Sequence, residues 1–149
     1  IESEDKRFYT HPGFDVIAII RATYNNIKAR GFVQGGSTIT QQLAKNMYFS
    51  FEKTLERKVG ELLMALKMER ELTKNEIMEL YINIIYFGEE CYGIKEAARH
   101  YYNVDVNKLD LKQMKILVET IKSPSAFNPN NKITSEDHSL FVFIYVTYF

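Results

Sequence analysis

Apolar residues along most of the chain recur at steps of three and four, the pattern of helices that bury one face. Over residues 15–30, Val16, Ile19, Ile20, Tyr24 and Ile27 keep this spacing, and Gly31 stands where such a helix can end. Thr38 followed by Gln41 forms a capping box that predicts a helix reaching about Phe49. A longer helix is expected over 53–72, with Leu55, Val59, Leu62, Leu66 and Glu69 marking one stripe. Thr73 with Glu76 opens another over 74–86, and residues 95–102 form a shorter one. Asp110 with Gln113 opens a last helix reaching Lys122, before Ser123 and Pro124. Strand alternation is almost absent, so the expected class is an all-α domain of packed helices.

Two segments depart from this rhythm. Residues 31–36 (GFVQGG) set two apolar side chains among glycines and read as a mobile loop. Residues 140–149 (LFVFIYVTYF) are uncharged, β-branched and aromatic. They read either as a strand or aggregation-prone segment or as a buried terminal helical turn, and are too short to span a bilayer as a helix. No repeat or low-complexity linker interrupts the chain. It begins at Ile1 without a signal peptide, and reads as an excised or truncated piece.

Composition narrows the class further. At 149 residues the chain is the size of one domain, and 46% apolar with 26% charged residues is ordinary for a globular protein. A formal net charge of zero gives no argument for nucleic acid, so work on an anionic substrate requires locally clustered Lys and Arg. Cys91 stands alone and cannot form an intrachain disulfide; His11, His100 and His138 are too far apart for zinc spacing.

Three constellations carry candidate chemistry, each with a plain alternative. Glu4 and Asp5, close to Phe8, His11, Gly13 and Asp15, suit a general acid or base tuned by partial burial. The same residues also read as a solvated acidic stretch with an N-cap at Asp15. Residues 35–46 (GGSTITQQLAKN) bring a glycine loop to a helix N-terminus, a natural anion site. Ser37, Thr38, Gln41 and Gln42 add neutral hydrogen-bonding groups and Lys45 a cation one turn on; as a bare pattern, a plain capped surface helix is favoured over an anion site. Arg57, Lys58 and Glu61 share one side of a helix, where Glu61 stays ionised and able to orient a substrate or metal. The alternative there is a surface ion-pair ladder. Gly60 within this helix suggests a close approach by backbone or substrate. In residues 74–83 (KNEIMELYIN) the apolar face of Ile77, Leu80 and Tyr81 makes packing the default role, while Glu79 and Asn83 are placed to tie neighbouring elements together.

In order, these segments resemble glycosyltransferase family 51, the peptidoglycan glycosyltransferases found alone or in bifunctional penicillin-binding proteins. The E-D-x-x-F-x-x-H-x-G motif is met by Glu4 through Gly13, and G-G-S-T-I-T-Q-Q-x-x-K-N by Gly35 through Asn46. R-K-x-x-E is met by Arg57, Lys58 and Glu61. K-x-x-I-L-E-x-Y-L-N is met by Lys74, Ile77, Glu79, Tyr81 and Asn83, with Met78 and Ile82 as mild replacements.

The resemblance implies a mainly α, lysozyme-like catalytic domain over residues 1–131, followed by a divergent apolar tail over 132–149. Glu4 would be the base for the acceptor sugar's 4-hydroxyl and Glu61 a second catalytic glutamate near the donor diphosphate. Asp5, Arg21, Ser37, Thr38, Gln41, Gln42, Lys45, Arg57 and Lys58 would bind substrate, the cations neutralising the leaving diphosphate. Implied partners are lipid II, the nascent glycan strand, the membrane surface and other cell-wall synthesis proteins. Mg²⁺ or another divalent ion would be the only cofactor, with no organic cofactor and no dedicated metal cage. Residues 16–34 would be a mobile segment facing the bilayer from the extracytoplasmic side, although its isoleucines also read as core. The family's fifth motif, an R-R-x-x-x-V-L-type segment, has no counterpart after Pro129, where no paired arginines occur. A lysozyme-like peptidoglycan-cleaving enzyme and a catalytically impaired lipid-II-binding fragment are the alternatives.

Overall fold

The computed structural model describes residues 4–49 and 54–131. Helices α1 (Val16–Lys28), α2 (Ile39–Tyr48), α3 (Leu55–Glu71), α4 (Lys74–Ile84), α5 (Ile94–Tyr102), α6 (Leu111–Lys122) and α7 (Pro124–Phe127) follow in order, with a 3-10 turn at Val106–Lys108. The protein is mainly α, as a lysozyme-like helical domain should be. The expected start of the third helix at Lys53 and the tail over 132–149 lie outside the described residues.

Local capping sets most of the helix starts. Thr38, Thr73 and Asp110 each accept from the backbone N–H three residues on, and Gln41, Glu76 and Gln113 bond back to the cap backbone. Thr54 caps α3 and Asp15 caps α1 through its carboxylate and the Ala18 N–H. Each cap satisfies donors that the helix itself cannot.

The core forms where α2 packs against α3 and α4, then continues through α5 to α6. Ile39, Leu43, Ile77, Leu117 and Phe87 are its largest apolar members, and Phe8 is wholly enclosed with them. At Gly93, which starts α5, φ is +87° and a Cβ would fall 2.3 Å from the Asn83 carbonyl oxygen, so only glycine fits.

Several expectations about faces and ends are corrected. The α3 stripe is not buried as read: Leu55 is 83% and Val59 57% exposed, while Glu61, Ala65 and Met68 face inward. The cause is that a charged residue occupies the inner face, paired there with its own helix's cations. Helix α1 ends at Lys28, and Arg30, not Gly31, takes the left-handed conformation that follows. Helix α4 stops at Ile84, because Tyr86 leaves it to bridge Tyr92 across a tight turn. Among the described residues the Asn83 side chain donates only to the Glu79 carbonyl within α4 and ties no neighbouring element.

Helix α1 is the outlier in packing. Only Ala22 of it is buried, and it lies against no other helix among the described residues. Its isoleucines are therefore not core. Val16, Ile17, Ile20, Tyr24 and Ile27 are all more than half exposed, and Phe32 in the following loop is 82% exposed.

Candidate active site

A cleft of about 680 Å³ opens where the turn carrying Glu4 meets α1, the glycine loop and the start of α2. Its lining brings together Glu4, Arg21, Ser37, Gln42 and Lys45, residues drawn from four of those pieces of chain. Glu4 is half-buried there.

The turn that presents Glu4 is held by groups on either side of it. Phe8 plugs the core, and the neighbouring Asp5 carboxylate is buried. Asp5 Oδ2 accepts from Ile39 N (3.0 Å) and pairs with His11 Nε2 (2.8 Å). Gly13 N donates to His11 Nδ1 (3.1 Å), which leaves Nε2 as the imidazole donor toward Asp5. The loop closes when Thr38 Oγ1 donates to the Gly13 carbonyl (2.7 Å). Glu4 is thus one residue from a carboxylate locked to the N-terminus of α2. Both acidic residues line the cleft, and Asp5 is in addition tied through Oδ2 to His11 and Ile39 N.

The same bonds define what α2 presents. Thr38 touches the cleft, but its hydroxyl is engaged by Gly13 and by the Gln41 N–H. Gln41 is buried and serves as the capping partner, outside the cleft lining. Gln42 does face the cleft, and its side-chain oxygen accepts from Tyr81 Oη at 3.1 Å. Burial, followed by the nearby charges of Glu4 and Asp5, pushes the Tyr81 phenol well above its usual range, so it acts as a neutral donor.

The cations gather beside this wall. Lys45 is half-buried, and burial holds its ammonium below the usual lysine range; Glu61 opposes that shift, while Lys58 and Arg57 add to it. Glu61 itself is 1% exposed. Its Oε2 accepts from Lys58 Nζ (2.7 Å), and Arg57 Nη1 lies 3.0 Å from its Oε1 as an ion pair. The surface-ladder reading is therefore excluded for Glu61. Lys58 Nζ also reaches Ser37 Oγ at 3.2 Å, which joins the ion cluster to the cleft rim. Arg57, Lys58 and Glu61 are not among the described residues of the lining; Lys58 meets its rim at Ser37, and the charges of all three bear on Lys45. Gly60 is explained by the Phe49 ring, whose Cε1 would lie 2.7 Å from an added Cβ; the close protein neighbour is a side chain and not backbone.

Some contributors have no sequence signal. Lys6 and Lys122 line the cleft although they are far apart in the chain. Glu69 accepts from Thr40 Oγ1 (2.6 Å) and Lys74 Nζ (2.7 Å), and Lys74 also donates to the His11 carbonyl, linking α2, α3 and α4 below the Glu4 turn. Arg7 Nε donates to Asp15 Oδ2 at 2.9 Å, with a second guanidinium contact to Oδ1, fixing the start of α1 to the same turn. Among the described residues, no three His, Cys, Asp or Glu side chains converge as a metal cage.

Penicillin-binding protein 1A of Neisseria cinerea is 51% identical over 129 residues, 87% of this chain and 16% of that protein. Penicillin-binding protein 1A of Aquifex aeolicus (strain VF5) is 47% identical over the same share of this chain and 18% of its own length. Penicillin-binding protein 1F of Bacillus subtilis (strain 168) is 44% identical, with the same coverage. The chain therefore spans less than a fifth of the length of these curated relatives. The transglycosylase family matches residues 1–142, and with Glu4, Gln42 and Lys45 meeting in one cleft, the chain belongs to that family.

Proposed function

We propose that this domain is a peptidoglycan glycosyltransferase that polymerises lipid II into glycan strands. The observation that carries it is that Glu4 and Lys45 line one cleft, a carboxylate base and a cation in a single cavity. Glu4 takes the proton from the acceptor sugar's 4-hydroxyl as that oxygen attacks the donor's anomeric carbon. The bond from that carbon to the diphosphate oxygen breaks with inversion, and undecaprenyl pyrophosphate leaves. Diphosphate is a good leaving group once its charge is neutralised, which matches a cleft lined by Lys6, Arg21, Lys45 and Lys122. Lys45 and Arg21 face that charge directly, and Arg57 and Lys58 reinforce it from beside the cleft. Glu61 keeps those two cations in place.

Glu61 lies between two cations, with Arg57 Nη1 3.0 Å from Oε1 and Lys58 Nζ 2.7 Å from Oε2. A divalent ion such as Mg²⁺, when bound, would help to neutralise the negative charge of the diphosphate. The exposed row from Val16 to Phe32 favours interfacial contact with the membrane that holds the lipid donor, on its extracytoplasmic face. No helix among the described residues is long and apolar enough to cross a membrane. Other cell-wall synthesis proteins are expected partners at the same surface.

The test is polymerisation of lipid II by the protein and by its Glu4→Gln variant. Wild-type protein should build strands, and the variant should lose at least about a hundredfold in kcat. Undiminished turnover by Glu4→Gln would remove Glu4 as the base. Lysis of preformed peptidoglycan without a lipid-linked donor would identify a cleaving enzyme instead.

A further inference from the structure

The wall of the cleft formed by Val33, Gln34, Gly35 and Gly36 belongs to a loop whose backbone at residues 33 and 34 is tied to α1 by the Asn26 amide. Asn26 Oδ1 accepts from both Val33 N (2.8 Å) and Gln34 N (2.9 Å), while its Nδ2 donates to the Gln34 carbonyl (3.0 Å). All three bonds are to backbone, so they set the path of the loop whatever its side chains are. Asn25 Nδ2 adds a bond to the Gln34 side chain at 2.7 Å. Two residues on, Gly36 lies against α1 so closely that a Cβ would be 3.0 Å from Ile19 Cα. Because α1 packs on no other helix, these contacts and the Arg7–Asp15 pair hold it to the domain.

We propose that Asn26 is a positioning residue for the cleft, acting through the loop backbone. Asn26 does not line the cleft. Its amide holds residues 33–34 on α1, and so places Gln34 through Ser37 opposite Arg21 and Ala18 of the same helix. Substrate binding, more than the chemical step, depends on this clamp. The inference rests on the glycosyltransferase reading of the cleft.

The test uses Asn26→Ala and Asn26→Asp in the otherwise intact protein. Alanine is the better helix former, so α1 itself is not weakened. Amide exchange at residues 33 and 34 should quicken by roughly tenfold in Asn26→Ala, while α2 and α4 amides keep their protection. KM for lipid II should rise by roughly tenfold with kcat within about twofold. Asn26→Asp keeps the acceptor for both N–H groups and should fall between wild type and Asn26→Ala in both measurements. Unchanged exchange at 33–34, or faster exchange with KM unmoved, overturns the clamp and leaves the glycosyltransferase reading standing. Wild-type protein that fails to polymerise lipid II sinks that reading, and the clamp's catalytic role with it.

Discussion

Lys58 Nζ donates to Glu61 Oε2 at 2.7 Å across a sharp difference in burial, the lysine side chain 49% exposed and the glutamate 1%. The pair carries a charge from the solvent-facing rim to the inner face of α3. There it meets Arg57, whose side chain is only 13% exposed. Burying a carboxylate in this way is favourable only while both cations stay with it.

Replacing Glu61 with Gln keeps its volume and removes its charge, leaving Arg57 nearly buried without a counter-ion. Urea unfolding should show a loss of about 3 kcal/mol, in the range of other broken buried pairs. Polymerisation should fall as well, because Lys58 is no longer aimed at Ser37. A variant as stable as wild type would contradict the structural part of this account, whatever its activity.

Lys45 yields a pH prediction. Burial holds its folded pKa below the ordinary 10.5, so between those two values the unfolded chain binds more protons than the folded one. Burying the ammonium therefore opposes folding at neutral pH, and that penalty fades as pH rises through the lowered value. Function moves the other way. Loss of the proton removes the cation facing the donor diphosphate, so kcat/KM should decline on the alkaline side before pH 10.5. Lys45→Arg, which does not deprotonate in this range, should shift that decline to higher pH. Identical alkaline limbs in the two proteins would rule Lys45 out as the group responsible.

Asp15 governs the attachment of α1 and does so in the opposite pH sense. Burial raises its carboxyl pKa, but the bonds from Arg7 and the Ala18 N–H, with the charge of Arg7, outweigh burial and leave it below the usual 3.8. The contribution is complete above 3.8 and is lost as pH falls through the lower folded value. Amide exchange in α1 should therefore rise in strong acid ahead of α2 and α4. Asp15→Ala should produce the same local loosening at neutral pH, weakening the α1 start by about 1 kcal/mol. Fraying that begins elsewhere would argue that Arg7 and Asp15 do not hold this helix.

Much of the helical framework is legible in the order of residues alone. Thr38–Gln41, Thr73–Glu76 and Asp110–Gln113 are capping boxes completed within four residues, so their signal is entirely local. Faces are less legible. Leu55 and Val59 look like core by type yet stand in solvent, while Glu61 looks like surface and is enclosed. An apolar pattern reports which residues prefer burial, and a buried ion pair overrides that preference when its partners come from the same helix.

The candidate site divides along the same line. Glu4, Gln42 and Lys45 can be named from motif spacing, because residue type and order carry that information. Their convergence cannot, nor can the separate fates of Asp5, Thr38 and Gln41, whose polar groups are used inside the fold. Short stretches of chain settle where helices start and which side chains are chemically able to act. Which of them face the cleft is a matter of packing. The hydrogen bond from Ile39 N to Asp5 spans 34 positions, and no local pattern encodes a contact at that separation.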